Sequence, residues 1–198
     1  VSAGASSRGR HCSAWVYVVA RCSRESASCR RAKGGGSLGV GGKTAAAQAL
    51  DAVRGGVPVP VMGVVDPGAR VAAETTRSGQ VGVIGTQGTI ESGAYHNAIH
   101  GRAGSISVFG QACGLLVPLA EEGWLEHPVT EQVASHYLTE LRTSSGDLDT
   151  IVLGCTHYPL LKPLLARQAE RVFGHPVELV DSAEAVSGAV ADDLTQRG

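Results

Sequence analysis

The hydrophobic pattern has two regimes that meet near residue 43. Before that point apolar residues are sparse, apart from one patch over residues 14–20. After it, short continuous apolar runs alternate with helical spacings. Residues 59–65, 81–84, 151–153 and 177–180 form such runs, which read as strands, 59–65 as one buried on both faces of a parallel sheet. Between them, Ala46, Ala49, Leu50 and Val53 fall on one helical face over 44–54, and Val133, Tyr137, Leu138 and Leu141 on another over 130–142. Asp66-Pro67 reads as a cap and first-turn proline opening a helix to about residue 77. Further helices are expected from 90 to about 100, from Pro159 through 173, and from 182 to about 194. Residues 105–109 and 115–117 are short strand candidates. The strand–helix alternation predicts an α/β fold with a mainly parallel sheet. Polar loops after its strands should line a site.

Charge sharpens the boundary. Residues 1–43 carry eight basic residues against one acid, while the remainder carries nine against seventeen. The first segment is rich in Ser, Arg and Gly, shares the composition of an organellar transit peptide, and is expected to be an atypical piece, either a disordered tail or a segment foreign to the domain. The net charge of −1 argues against a general nucleic-acid binder. No apolar run is long enough to span a membrane. Five cysteines without regular spacing predict no disulfide framework and a reducing, cytoplasmic setting. Residues 34–44 approach the phosphate-loop pattern, but Ser37 stands where its first glycine is needed. His96 and His100 have metal-binding spacing on a helix, with no third ligand apparent in the sequence.

The candidate chemistry centres on Cys155-Thr156-His157. Cys155 lies between the end of a strand and the start of a helix, where the partial positive charge of a helix N-terminus favours a thiolate. His157, two residues on, can exchange a proton with it. A lone cysteine is more often a small buried hydrophobe, but a polar cluster at a strand's C-terminal end is where α/β proteins place chemistry.

Several motifs in order then carry a resemblance. Residues 63–70 (GVVDPGAR), 81–90 (VGVIGTQGTI), 92–95 (SGAY) and 153–161 (LGCTHYPLL) resemble glutamate racemase, of the aspartate/glutamate racemase superfamily, over about residues 44–190. The resemblance implies a parallel-sheet racemase-like α/β fold of two similar domains, here with one domain complete and the other partial. The partial first domain would be 44–78 with 179–198, and the second, carrying Cys155, 79–178. It implies interconversion of L- and D-glutamate without cofactor or metal, by two cysteines facing opposite sides of Cα, supplying D-glutamate for peptidoglycan in the cytoplasm. Cys155 and His157 match catalytic positions. Thr44, Thr86, Thr89 and Thr156 match substrate contacts, and Glu121 an acidic residue near the site. Without the resemblance, Thr86 and Thr89 would read as helix caps and Glu121 as a surface acid.

Departures from the pattern are as informative. The family's first cysteine lies in a Cys-Asn-Thr-Ala motif; here that place reads Gly42-Lys43-Thr44-Ala45. Cys113 lies in Ala-Cys-Gly where Ala-Cys-Pro is usual. Glycine has no ionisable group, so two-base racemisation should be lost or very weak. The family's N-terminal motifs have no counterpart in residues 1–43, so 59–65 is expected as an exposed edge prone to association, with a homodimer one outcome. Two alternatives stand beside this reading: a single-cysteine decarboxylase of the same superfamily, which also has glycine at the first position, and a non-catalytic remnant that binds a ligand.

Overall fold

In the computed structural model of the chain, residues 16–19, 38–41 and 61–197 are described. Three short parallel strands come first: β1 (Val16–Val19), β2 (Leu38–Gly41) and β3 (Val61–Gly63), paired in that order. Part of the basic N-terminal segment is therefore strand. Within the phosphate-loop stretch, Leu38–Val40 are paired on both sides and Gly41 with β1, an extended arrangement that does not wrap a phosphate; the rest of that stretch lies outside the described residues. The helix expected over 44–54 lies outside the described residues.

The second sheet organises the rest. It comprises β4 (Gln80–Gly85), β5 (Ser107–Ala112), β6 (Thr150–Gly154) and β7 (Glu178–Asp181), all parallel, in the order β5-β4-β6-β7. β6 is buried along its whole length, as its continuous apolar run predicts. β5 is an edge strand and stays half exposed. Alternate residues point to opposite faces of the sheet, and each set finds its own core. Val81, Val83, Val152 and Val180 pack with Val65, Ala69 and Ala72 of α1 (Val65–Thr75) and with Tyr95 and Ile99 of α3 (Ala94–His100). Ile84, Ile151, Leu153 and Leu179 pack with Leu138 and Leu141 of α5 (Pro128–Ser145) and with Leu164, Leu165 and Phe173 of α6 (Lys162–Phe173). The result is a helix–sheet–helix sandwich. Each fully buried Leu or Ile in it contributes roughly 1.5–3 kcal/mol relative to exposure. α1 and β7, placed by the sequence in the first domain, both pack within this sandwich. α7 (Ser182–Arg197) follows β7 directly.

Three expected elements differ from those found. The single helix over 90–100 is two helices, α2 (Gln87–Glu91) and α3, separated at Ser92-Gly93. Gly93 has φ +62°, a left-handed conformation that suits glycine. The Ser92 hydroxyl donates to the Thr89 carbonyl (2.7 Å) and accepts from the Ala94 amide (3.3 Å), stabilising the break. Residues 115–117 are not a strand; Leu116 begins α4 (Leu116–Glu121). Three apolar residues do not fix a period, and the buried pair Leu116 and Ala120 reveals helical spacing only once Ala120 is included. Pro159 lies in the first positions of a 3-10 turn, Tyr158–Leu161, and α6 begins after it.

Candidate active site

The C-terminal edge of the four-stranded sheet gathers the polar residues. Gly85 pairs with Gly154, so Thr86 and Cys155 leave neighbouring strands side by side. Ala112 pairs with Gly85 on the other side, which brings Cys113 to the same level. Gly154 has a packing role there: a Cβ at that position would lie 2.6 Å from the Ile84 carbonyl oxygen. Only glycine lets β4 and β6 approach this closely just before the thiol.

Cys155 is 7% exposed. Its Sγ lies 3.6 Å from His157 Nδ1, and His157 Nε2 lies 3.1 Å from Glu121 Oε1. The chain of contacts runs thiol, imidazole, carboxylate. A neutral imidazole that accepts the thiol proton at Nδ1 already donates from Nε2 to the carboxylate, so the imidazolium formed is held at both ends. Glu121 reaches His157 because α4 packs on the turn Tyr158–Leu161. The Tyr158 hydroxyl donates to the Cys113 carbonyl at 2.8 Å and locks that turn to the end of β5. Burial, and then the nearby Cys113 and Cys155 sulfurs, push the Tyr158 pKa up, so the phenol stays a donor.

The threonines divide. Thr86 and Thr89 have hydroxyls 3.0 Å apart, and Thr86 Oγ1 accepts from the Thr89 amide at 3.4 Å. The capping role thus exists beside whatever else the pair does. Thr89 is buried and Thr86 half-buried at the mouth of β4. Thr156 is exposed beside Cys155. Thr44 and Gly42 lie outside the described residues. Cys113 is a buried structural thiol. Burial first, and then the Glu140 carboxylate, push its pKa up, which disfavours a thiolate. His96 and His100 stack on each other with ring centroids 5.8 Å apart, and among the described residues no third metal-ligating side chain joins them.

One cluster escaped the sequence reading. The Tyr95 hydroxyl lies 2.9 Å from Ser182 Oγ, which donates to the Leu153 carbonyl at 3.1 Å. Both side chains are almost fully buried. Burial pushes the Tyr95 pKa up, its hydrogen bond with Ser182 opposes that, and nearby Asp181 and Cys155 add to the rise. This pair ties α3 and the start of α7 to β6, two residues before the thiol. Its only sequence signal was Tyr95 and Ile99 at helical spacing, with a serine directly after the last strand.

Fold and site together define a parallel-sheet α/β protein with a thiol–imidazole–carboxylate cluster at the sheet's C-terminal edge. The profile of the Asp/Glu/Hydantoin racemase family matches residues 41–190, and the chain belongs to that family. It is 52% identical over 151 residues to the glutamate racemase of Syntrophus aciditrophicus, covering 76% of this chain and 54% of that protein. The crystal structure of glutamate racemase isoform RacE1 from Bacillus anthracis superposes with a TM-score of 0.75 at 35% identity, over 83% of this chain and 60% of that one. The glutamate racemase of Francisella tularensis, solved in complex with D-glutamate, gives 0.70 at 29%, over 82% and 58%. The chain thus spans a little over half the length of the curated relatives it matches, such as that of Syntrophus aciditrophicus.

Proposed function

We propose that this chain carries the second catalytic half of a glutamate racemase, with Cys155 as the group that moves the Cα proton. The observation that supports it most directly is the Cys155–His157–Glu121 chain of contacts at the sheet edge. His157 accepts the Cys155 proton and Glu121 balances the imidazolium. The thiolate then removes the Cα proton from one enantiomer of glutamate, becoming a thiol again and leaving a carbanion conjugated with the carboxylate. Such a proton is very weakly acidic, so the step needs a desolvated base and donors on the substrate carboxylate. Thr86, Thr89 and Thr156 supply hydroxyls around that point, and Thr44 belongs to the same set. By the resemblance, 44–78 with 179–198 form a partial first domain and 79–178 the second, with α1 packed on the second's sheet and β7 completing it.

Return of the proton by the same thiol regenerates the starting enantiomer. Return to the opposite face needs a second acid at the position of Gly42, which has no ionisable group. The reading therefore predicts Cα exchange without net inversion. The purified chain, incubated in deuterium oxide with L- or D-glutamate, should incorporate deuterium at Cα of one enantiomer, by proton NMR, and lose this in Cys155→Ala. Inversion at an ordinary racemase rate would refute the Gly42 argument; no exchange with either enantiomer would refute the half-site. Release of carbon dioxide from an arylmalonate would favour the single-cysteine decarboxylase, which a glycine at position 42 with a cysteine at 155 also suits. In the cell the complete enzyme would supply D-glutamate for peptidoglycan in the cytoplasm, acting as a monomer or homodimer on glutamate, without metal or cofactor.

A further inference from the structure

A second feature lies away from Cys155, between α5 and α6. A cavity of about 430 Å³ opens there, lined by polar side chains throughout, among them Glu131, Ser135 and His136 of α5 and Gln168 and Arg171 of α6. Gln168 is the anomaly. It is 3% exposed and stands among Leu164, Leu165 and Ala169 on the buried side of α6. Its amide makes no hydrogen bond among the described residues, yet it is not sealed: among them, the Gln80 side-chain oxygen is the one fully buried polar side-chain atom without a partner. The Gln168 amide therefore keeps its access through the groove. An apolar side chain would fill the same place without leaving a donor and an acceptor unused.

The charges on the walls point the same way. Of the lining residues, His136 lies 3.5 Å from the Glu140 carboxylate. Arg171 and Glu131 form no ion pair with each other or with any other described residue, although both line the groove. Opposite charges held apart, with an unused amide between the helices that carry them, match a ligand that has both signs itself.

We propose that this groove binds a small zwitterion, an α-amino acid or dipeptide, with its carboxylate at Arg171, its ammonium at Glu131 and its body against the Gln168 amide and Ser135 hydroxyl. The volume is that of a small-molecule site. The proposal is independent of the chemistry at Cys155.

Amide NMR of the full chain, titrated with glycylglycine, tests it, because that probe carries both charges and is not glutamate. Saturable shifts are expected at the Ser135, Gln168 and Arg171 amides. N-acetylglycine, with the carboxylate alone, and glycinamide, with the ammonium alone, should bind at least about tenfold more weakly. Arg171→Ala and Glu131→Gln should weaken glycylglycine binding by a similar factor. Gln168→Leu should abolish it while melting at the same or a higher temperature, the signature of a side chain kept for binding. Should Gln168→Leu fail to fold, the two wall variants carry the test alone. Absence of saturable shifts up to the solubility limit of the probe would overturn the proposal. So would equal binding of N-acetylglycine, which marks a simple anion site, or unchanged binding by Gln168→Leu.

Discussion

At the scale of single residues, the site rests on a contact that sequence spacing shows and on one that it cannot. Cys155 and His157 are two apart at the end of a strand, so their proximity follows from local geometry, and their 3.6 Å separation agrees. Glu121 lies 36 positions before His157, at the end of a helix whose first two residues were expected as strand; only tertiary packing brings it to 3.1 Å. The two contacts also differ in weight. Glu121 is well exposed and His157 about one-third exposed, so water screens their pair, worth about 0–1 kcal/mol. His157, by contrast, is proposed as the base that makes the thiolate. On the proposed reading, His157→Ala should lower the Cα exchange rate of glutamate by about 10²-fold or more, whereas Glu121→Gln should lower it by less than about fivefold. Exchange rates of the two variants, compared at one pH by proton NMR, check this. A larger effect from Glu121 than from His157 would reverse the assigned roles.

At the scale of elements, strands were legible and junctions were not. Continuous apolar runs located β4, β6 and β7 to within a residue or two, because burial on both faces leaves few other residue types. The division of α2 from α3 depends on the dihedral angle of Gly93, and α4 on a short run without a clear period. Asp149, just before β6, shows how a junction is held. It accepts hydrogen bonds from the Thr76 hydroxyl (2.7 Å) and from the Arg77 and Ser78 amides (2.8 and 2.7 Å), joining the end of α1 to the start of β6. Burial works against its charge, but these bonds and one from Thr150 outweigh it and hold its pKa at about 2, below the ordinary 3.8. A carboxylate with a depressed folded-state pKa stabilises the fold above its unfolded value and loses that contribution as pH falls through the folded one. The Asp149 contribution should therefore be complete above about pH 4 and fade towards pH 2. Asp149→Asn should lower Tm at neutral pH by about 2–4 °C. The gap to the parent should close between those limits. Thermal melts of both proteins across the acid range measure it, and a gap that stays constant with pH would show that the charge is not the stabilising part.

At the scale of the molecule, the family and its α/β architecture were legible because several motifs fall at strand ends in the right order. The grouping of elements around the core needed the structure. Sequence assigned residues 44–78 and 179–198 to one unit and 79–178 to another. In the structure Val65, Ala69 and Ala72 of α1 are buried against Val81, Val152 and Val180 of the four-stranded sheet, and β7 is that sheet's fourth strand. The resemblance marked where the family's motifs begin, and a motif boundary need not coincide with a packing boundary. Every buried residue of the two apolar clusters lies between positions 65 and 180. If those clusters supply most of the cohesion, a fragment of residues 64–198 keeps both and should melt cooperatively, within about 4 °C of the full chain. A fragment of residues 1–178 loses the end of β7 and all of α7, and with them Leu179, Val180 and the Ser182 hydroxyl that ties β6 to α3. It should melt at least about 8 °C lower or without a cooperative transition. Circular dichroism melts of the three chains decide the matter. If the 64–198 fragment loses cooperativity while 1–178 retains it, the three-stranded sheet, and not the sandwich around β6, is what holds the thiol in place.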